Sequence, residues 1–103
     1  MAIKKRNNTG PTGKKKLTTK KINFKMVAPE AENVFLVGDF NDWNISAHPL
    51  KSNSKGIWKI SLELMPGRYE YRFLIDGGWR NDPNNTTFAP NPFGSDNSVI
   101  NLD

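Results

Sequence analysis

Residues able to carry out a reaction are few in this sequence, and their settings argue against one. His48 is the single histidine, in Ser46-Ala47-His48-Pro49-Leu50. No serine–acid arrangement surrounds it, and nothing is spaced to complete a zinc site. We read it as a surface residue. Cysteine is absent, which removes thiolate chemistry and disulfides. Two carboxylate pairs, Asp39 with Asp42 and Asp76 with Asp82, are candidates for glycoside hydrolysis. All four stand beside Gly, Asn or Pro, in turn contexts where Asp is common because its side chain bonds local backbone. Asp76-Gly77-Gly78 ends a strand pattern, but no helix pattern follows to complete a phosphate loop. The expectation is a protein that is not an enzyme and needs no metal or cofactor.

Recognition chemistry is better represented. In Tyr69 to Trp79, the residues Tyr69, Tyr71, Phe73 and Ile75 recur with period two and share one face of a strand. Glu70, Arg72 and Leu74 take the other face. Asp76-Gly77-Gly78 supplies turn chemistry, and Trp79 follows at once. A loop of Gly77-Gly78 pairs Asp76 with Trp79, whereas a loop of Asp76-Gly77 pairs Leu74 with Trp79. Either register puts the indole on the Arg72 face, away from the aromatic core face. Only a three-residue loop would turn it inward. On the outer face Trp79 is either a lid over the hairpin end or a flat platform for a ligand.

At 103 residues the chain makes one domain with a modest core. The net charge of +5 is unevenly placed. Residues 1–25 hold nine of the fifteen Lys and Arg and no acid, so residues 26–103 hold six bases against ten acids. Residues 1–16 are polar and basic, and we expect a disordered tail there, with the folded domain over 17–103. Its clusters, Lys4-Lys5-Arg6 and Lys14-Lys15-Lys16, carry no interleaved aromatic. A single-strand nucleic-acid partner would need such stacking groups, so nucleic acid is not the expected partner. There is no apolar signal region and no run long enough to span a membrane, which suggests a cytoplasmic protein or a piece of one.

The elements around Tyr69–Trp79 are short and extended. Ile22, Phe24 and Met26 alternate with polar residues, and Val34 to Val37 is a second apolar run. Gly38 to Asn44 is a turn-rich stretch around Phe40 and Trp43. Leu50 marks a short strand, and Asn53 to Gly56 a turn. Trp58, Ile60, Leu62 and Leu64 alternate, which places Trp58 in the core. Met65-Pro66-Gly67-Arg68 is a tight turn, so the strands on either side of it are expected to form a hairpin. Asn81 to Pro92 reads as an ordered loop, and Val99, Ile100 and Leu102 as a last strand. No window shows a helical period. The pattern predicts an all-β fold, a small antiparallel β-sandwich.

Three stretches taken together carry a resemblance: V-F-L-V-G-D-F-N-D-W-N at 34–44, G-R-Y-E-Y-R-F-L-I-D-G-G-W-R-N-D-P at 67–83, and N-P-F-G-S-D-N-S-V-I at 91–100. Their order and spacing resembles the family 48 carbohydrate-binding modules. That family includes the glycogen-binding domain of AMP-activated protein kinase β subunits. It also includes the N-terminal early set domains of isoamylases and branching enzymes. The resemblance implies an immunoglobulin-like antiparallel β-sandwich of the early set type. It implies binding of α-1,4-glucan polysaccharide or maltooligosaccharide, with an amylolytic or branching enzyme as a further partner. By position it assigns two sugar-flanking tryptophans to Trp43 and Trp79, and a cation to Arg72, where the kinase-type domains carry Lys. Phe93 stands where those domains carry Leu, Asn97 matches a sugar-binding Asn, and Ser95 a nearby hydroxyl residue. A pyranose offers an apolar C–H face to an indole and a rim of hydroxyls to donors and acceptors, which fits these residue types. The residues alone leave other roles open: Trp43 under its own loop, Phe93 plugging the sandwich end, and Asn97 in a turn. A scaffold domain with a vestigial sugar site is the alternative of a different class.

Overall fold

The computed structural model describes residues 18–103, so the basic tail expected over 1–16 lies outside the described residues. The described residues form eight strands: β1 Lys20–Val27, β2 Val34–Gly38, β3 Lys51–Ser52, β4 Ile57–Leu64, β5 Gly67–Ile75, β6 Gly78–Arg80, β7 Phe88–Pro90 and β8 Asp96–Leu102. One antiparallel sheet has the order β1-β4-β3. The other runs β2-β5-β8-β7, with β6 also on β5. The two sheets stack as an immunoglobulin-like β-sandwich.

The apolar faces of β1, β2, β4 and β5 meet between the two sheets. Phe24 and Met26 of β1, Trp58 and Leu64 of β4, Val34 and Leu36 of β2, and Tyr71 and Phe73 of β5 form one buried cluster with Leu50. Fully burying a side chain of this size stabilises by about 1.5–3 kcal/mol. Phe24 and Tyr71 meet edge to face across the layers, with centroids 5.2 Å apart. Trp58 is in the core as expected, and its indole N–H donates to the Ala28 carbonyl at 2.9 Å.

Two expectations about connectivity fail. The strands flanking Met65-Pro66-Gly67 do not form a hairpin, because β4 pairs with β1 and β3 while β5 pairs with β2, β6 and β8. Each strand carries a large apolar face. A hairpin would set those faces side by side on one sheet, whereas an arch between sheets lays them against each other. The Tyr69 hydroxyl closes the arch by donating to the Met65 carbonyl at 2.7 Å. The loop expected over 81–92 also contains a short strand, β7, which pairs Phe88, Ala89 and Pro90 with Ser98, Asn97 and Asp96. Its Pro90 is placed at a sheet edge, where a missing N–H is tolerated. His48 is half-buried, with Nδ1 2.8 Å from Asn41 Nδ2, so it is not the surface residue expected.

A buried polar network fixes the loop after β6. The Tyr71 hydroxyl donates to Asp82 at 2.6 Å and accepts from Asn85 at 3.1 Å, and the Asp82 N–H donates to Ser98 Oγ at 3.0 Å. Burial, reinforced by the bond to Asp82, pushes the Tyr71 phenol far above its ordinary value of 10.0. A raised phenol contributes stability that is complete below that ordinary value and is lost as pH climbs past it. Tyr71→Phe strands a buried carboxylate oxygen, and urea unfolding at pH 7 should show a loss of about 1–3 kcal/mol. The variant should also lose less further stability than wild type between neutral pH and strongly alkaline pH.

Candidate functional site

The outer face of β5 carries the site because the pleat sends alternate residues there. Tyr71 and Phe73 are buried inward, and Glu70, Arg72 and Leu74 face out. β2 runs along one edge of β5. β8 and then β6 occupy the other edge, pairing with Gly67–Tyr71 and Phe73–Ile75 respectively. Register places Val37 beside Arg72 and Val99 beside Glu70, and both valines are buried although they lie on this outer face.

Three separate segments bring aromatic side chains over this face. The first is the β5–β6 hairpin. Its two-residue loop is Asp76-Gly77, with φ of 47° and 84°, as a type I′ turn requires. Leu74 therefore pairs with Trp79, one of the two registers that keep the indole on the Arg72 face. Trp79 is 43% exposed, so the hairpin end does not bury it. The Asp76 carboxylate accepts the Glu32 and Asn33 N–H groups at 3.0 and 2.8 Å, which anchors the hairpin to the loop before β2.

The second segment follows β2. A single 3₁₀ turn, Asp39–Asn41, leads into Asp42 and Trp43 with φ of 55° and 58°. Consecutive left-handed residues other than glycine cost about 1–2 kcal/mol each. Local bonds offset that cost. The Trp43 N–H donates to the Gly38 carbonyl at 2.9 Å, and its indole N–H donates to Asp39 Oδ1 at 2.9 Å. Trp43 is half-buried and lines the trough, so it is not sealed beneath its own loop. The third segment is the turn before β8. The Asn91 side-chain oxygen accepts the N–H groups of Phe93 and Ser95 at 2.9 and 3.2 Å. This leaves Phe93 90% exposed, so it does not plug the sandwich end.

Trp43, Arg72, Trp79, Phe93, Ser95 and Asn97 all line one open trough of about 740 Å³, together with Asp39, Glu70, Asn91 and Pro92. Its floor is a continuous chain of side-chain hydrogen bonds. Arg68 donates to Glu70 at 2.7 Å, and Asn97 donates to the other Glu70 oxygen at 3.0 Å. Asn91 donates to Asn97 Oδ1 at 3.1 Å and to Ser95 Oγ at 3.3 Å. Arg72 donates to Ser95 Oγ at 3.1 Å and, through Nε, to Asn81 at 3.0 Å. Asn97 belongs to β8 and is buried, so it is not a turn residue. These bonds use two of the five guanidinium N–H groups of Arg72 and leave three, and one N–H of Asn97 is also left over. The trough therefore offers aromatic surface and held-in-place donors, with nothing arranged as a nucleophile and base. Among the described residues, no group of three or more His, Cys, Asp and Glu could hold a metal.

Sequence reasoning did not assign Glu70 or Asn91 to the site, and it raised Asp39 only as half of a carboxylate pair that it set aside as a turn former. Glu70 was detectable, since period two puts it beside Arg72. Asp39 and Asn91 look like ordinary turn formers, and only the distant groups they reach distinguish them.

Residues 9–93 match the model described as carbohydrate-binding module 48 (isoamylase N-terminal domain), and the chain belongs to that non-catalytic binding family. It is 36% identical over 72 residues to protein FLOURY ENDOSPERM 6, chloroplastic, of Oryza sativa subsp. japonica, covering 70% of this chain and 13% of that protein. It is 40% identical over 53 residues to protein PTST homolog 2, chloroplastic, of Arabidopsis thaliana, covering 52% and 10%. It is 40% identical over 76 residues to the 1,4-alpha-glucan branching enzyme GlgB of Deinococcus radiodurans, covering 69% and 11%. The match thus spans roughly a tenth of each relative's length.

The Asn97 hydrogen bond, and after it the one from Arg68, holds the Glu70 carboxyl below its ordinary value of 4.5. A lowered carboxyl contributes stability that is present above the ordinary value and disappears as pH falls through the lowered one. Glu70→Gln should cost about 0.5–1.5 kcal/mol at pH 7. Its acid-unfolding curve should be shallower than wild type below pH 4.5. Gly38→Ala tests the packing that lets the 3₁₀ turn lie on β5. An added Cβ would stand 2.5 Å from the Glu70 carbonyl oxygen and 2.6 Å from Tyr71 Cβ. Chemical denaturation should report a loss of about 1–3 kcal/mol.

Proposed function

We propose that this chain binds α-1,4-glucan, of the glycogen or starch type, without catalysing any change in it. The observation that carries the reading is the placement of Trp43, from the turn after β2, and Trp79, from β6, beside one trough floored by Arg72 and Asn97. The two indoles stack on the C–H faces of glucose rings, and Arg72, Asn97 and Ser95 meet the hydroxyl rim. Phe93, at the tip of its turn, packs against an edge of the ligand. Membership of the family supports the class of ligand, and its branching-enzyme relatives, named for 1,4-alpha-glucan, support the α-1,4 linkage.

An open site on a rigid sheet binds weakly, with Kd on the order of 10 μM to 1 mM, or roughly 4–7 kcal/mol. Such affinity suits a module that holds a polymer near an amylolytic or branching activity. In the branching-enzyme relatives the matched stretch is about a tenth of a much longer chain, which also favours a second reading, docking against a catalytic partner. A tight protein partner whose capture is indifferent to glucan would support that reading.

Calorimetric titration with maltoheptaose or β-cyclodextrin should show saturable binding in this range. Silence at millimolar ligand would remove the proposal. Trp79→Ala should abolish most of the heat while leaving the fold intact. Trp58→Ala should instead destabilise the protein by about 3–5 kcal/mol, because that indole is core.

A further inference from the structure

Asp39 lies in the trough but matches no residue assigned to sugar, and its two oxygens are spent on two different parts of the fold. Oδ1 accepts the Trp43 indole N–H at 2.9 Å, and Oδ2 accepts the backbone N–H of Glu70 in β5 at 2.8 Å. We propose that Asp39 is a positioning residue that fixes the plane of the Trp43 indole by bridging it to the central strand. This rests on the reading of Trp43 as a stacking wall for glucan.

Backbone bonds hold the Trp43 Cα but leave the ring free to turn about its two side-chain torsions. The Asp39 bridge supplies the missing restraint. A carboxylate suits this task because both oxygens only accept and both face donors. The geometry depends on Gly38, whose lack of a side chain lets the 3₁₀ turn press against Glu70 and Tyr71. Glu70 thereby becomes a common anchor. Its backbone N–H holds the aromatic wall through Asp39, and its carboxylate holds Asn97 in the floor at 3.0 Å. A further consequence is that the Trp43 N–H already has an acceptor, so this residue offers sugar its ring face rather than a hydrogen bond.

Asp39→Asn has the same shape but turns an N–H toward one of the two donors, so one arm of the bridge must break. The test combines indole 15N–1H spectra with maltoheptaose titration, and Trp43→Phe assigns the Trp43 peak. The bridge predicts that the Trp43 indole proton exchanges with solvent about tenfold more slowly in wild type than in Asp39→Asn, with no sugar present. It predicts that Asp39→Asn weakens maltoheptaose binding about five- to tenfold, and that the same change has no effect in a Trp43→Phe background. Unchanged exchange overturns the proposal. Equal weakening in both backgrounds also overturns it, because Asp39 would then act through Glu70 or through general stability. If Asp39→Asn does not fold, Asp39→Ser keeps one acceptor and is read by the same criteria. Wild-type protein that ignores maltoheptaose refutes the glucan reading, and the exchange rates alone then decide whether the bridge exists.

Discussion

The two-faced register of β5 is the constraint on which the rest of the molecule depends. Tyr71 and Phe73 must face the other sheet, because no other arrangement buries those rings. Once they do, Glu70 and Arg72 are committed to the opposite face. A slip of one residue would exchange the two sets, placing the charged Glu70 and Arg72 in the core and aromatic rings in water. The large free-energy difference between these registers makes the position of the small polar groups reliable. The site is thus placed by the core beneath it.

Around that strand, each outlying part of the site is tied down by a side chain that accepts backbone N–H groups. Asp76 anchors the hairpin that carries Trp79, Asn91 shapes the turn that carries Phe93, and Asp39 reaches from the Trp43 loop to Glu70. The polar floor is likewise held by its own bonds, running from Arg68 through Glu70, Asn97, Asn91 and Ser95 to Arg72 and Asn81, with donors of Arg72 and Asn97 left over. Side chains already held in place lose little conformational freedom when a ligand arrives. That matters for a shallow trough, which has little buried area with which to offset ordering.

Much of this was legible from residue types and spacing. The strand at 69–75, the sandwich class, the core position of Trp58 and the shared face of Arg72 and Trp79 all follow from period-two counting and the Asp76-Gly77 turn. The convergence of Trp43, Phe93 and Asn97 on that face was not readable from the pattern alone. It entered through the resemblance, because segments distant in sequence meet only when the sheets are assembled. Sheet membership was the clearest failure. A tight Met65-Pro66-Gly67 turn reads the same whether it closes a hairpin or arches between layers, and the choice is made by face-to-face packing of β4 and β5. β7 was missed because three residues ending in proline carry no period. Asp39 and Asn91 were hidden because a turn-forming side chain and a long-range strut have the same sequence appearance.

The central claim is that glucan lies on the outer face of β5 between Trp43 and Trp79. Backbone and indole chemical-shift mapping during a maltoheptaose titration tests it most directly. The account predicts that the shifts concentrate on Trp43, Arg72, Trp79 and residues 91–97, and that the indole of Trp58 and the β1-β4-β3 sheet stay unchanged. Saturable shifts centred on that three-stranded sheet, with both Trp43 and Trp79 indoles unmoved, would contradict it.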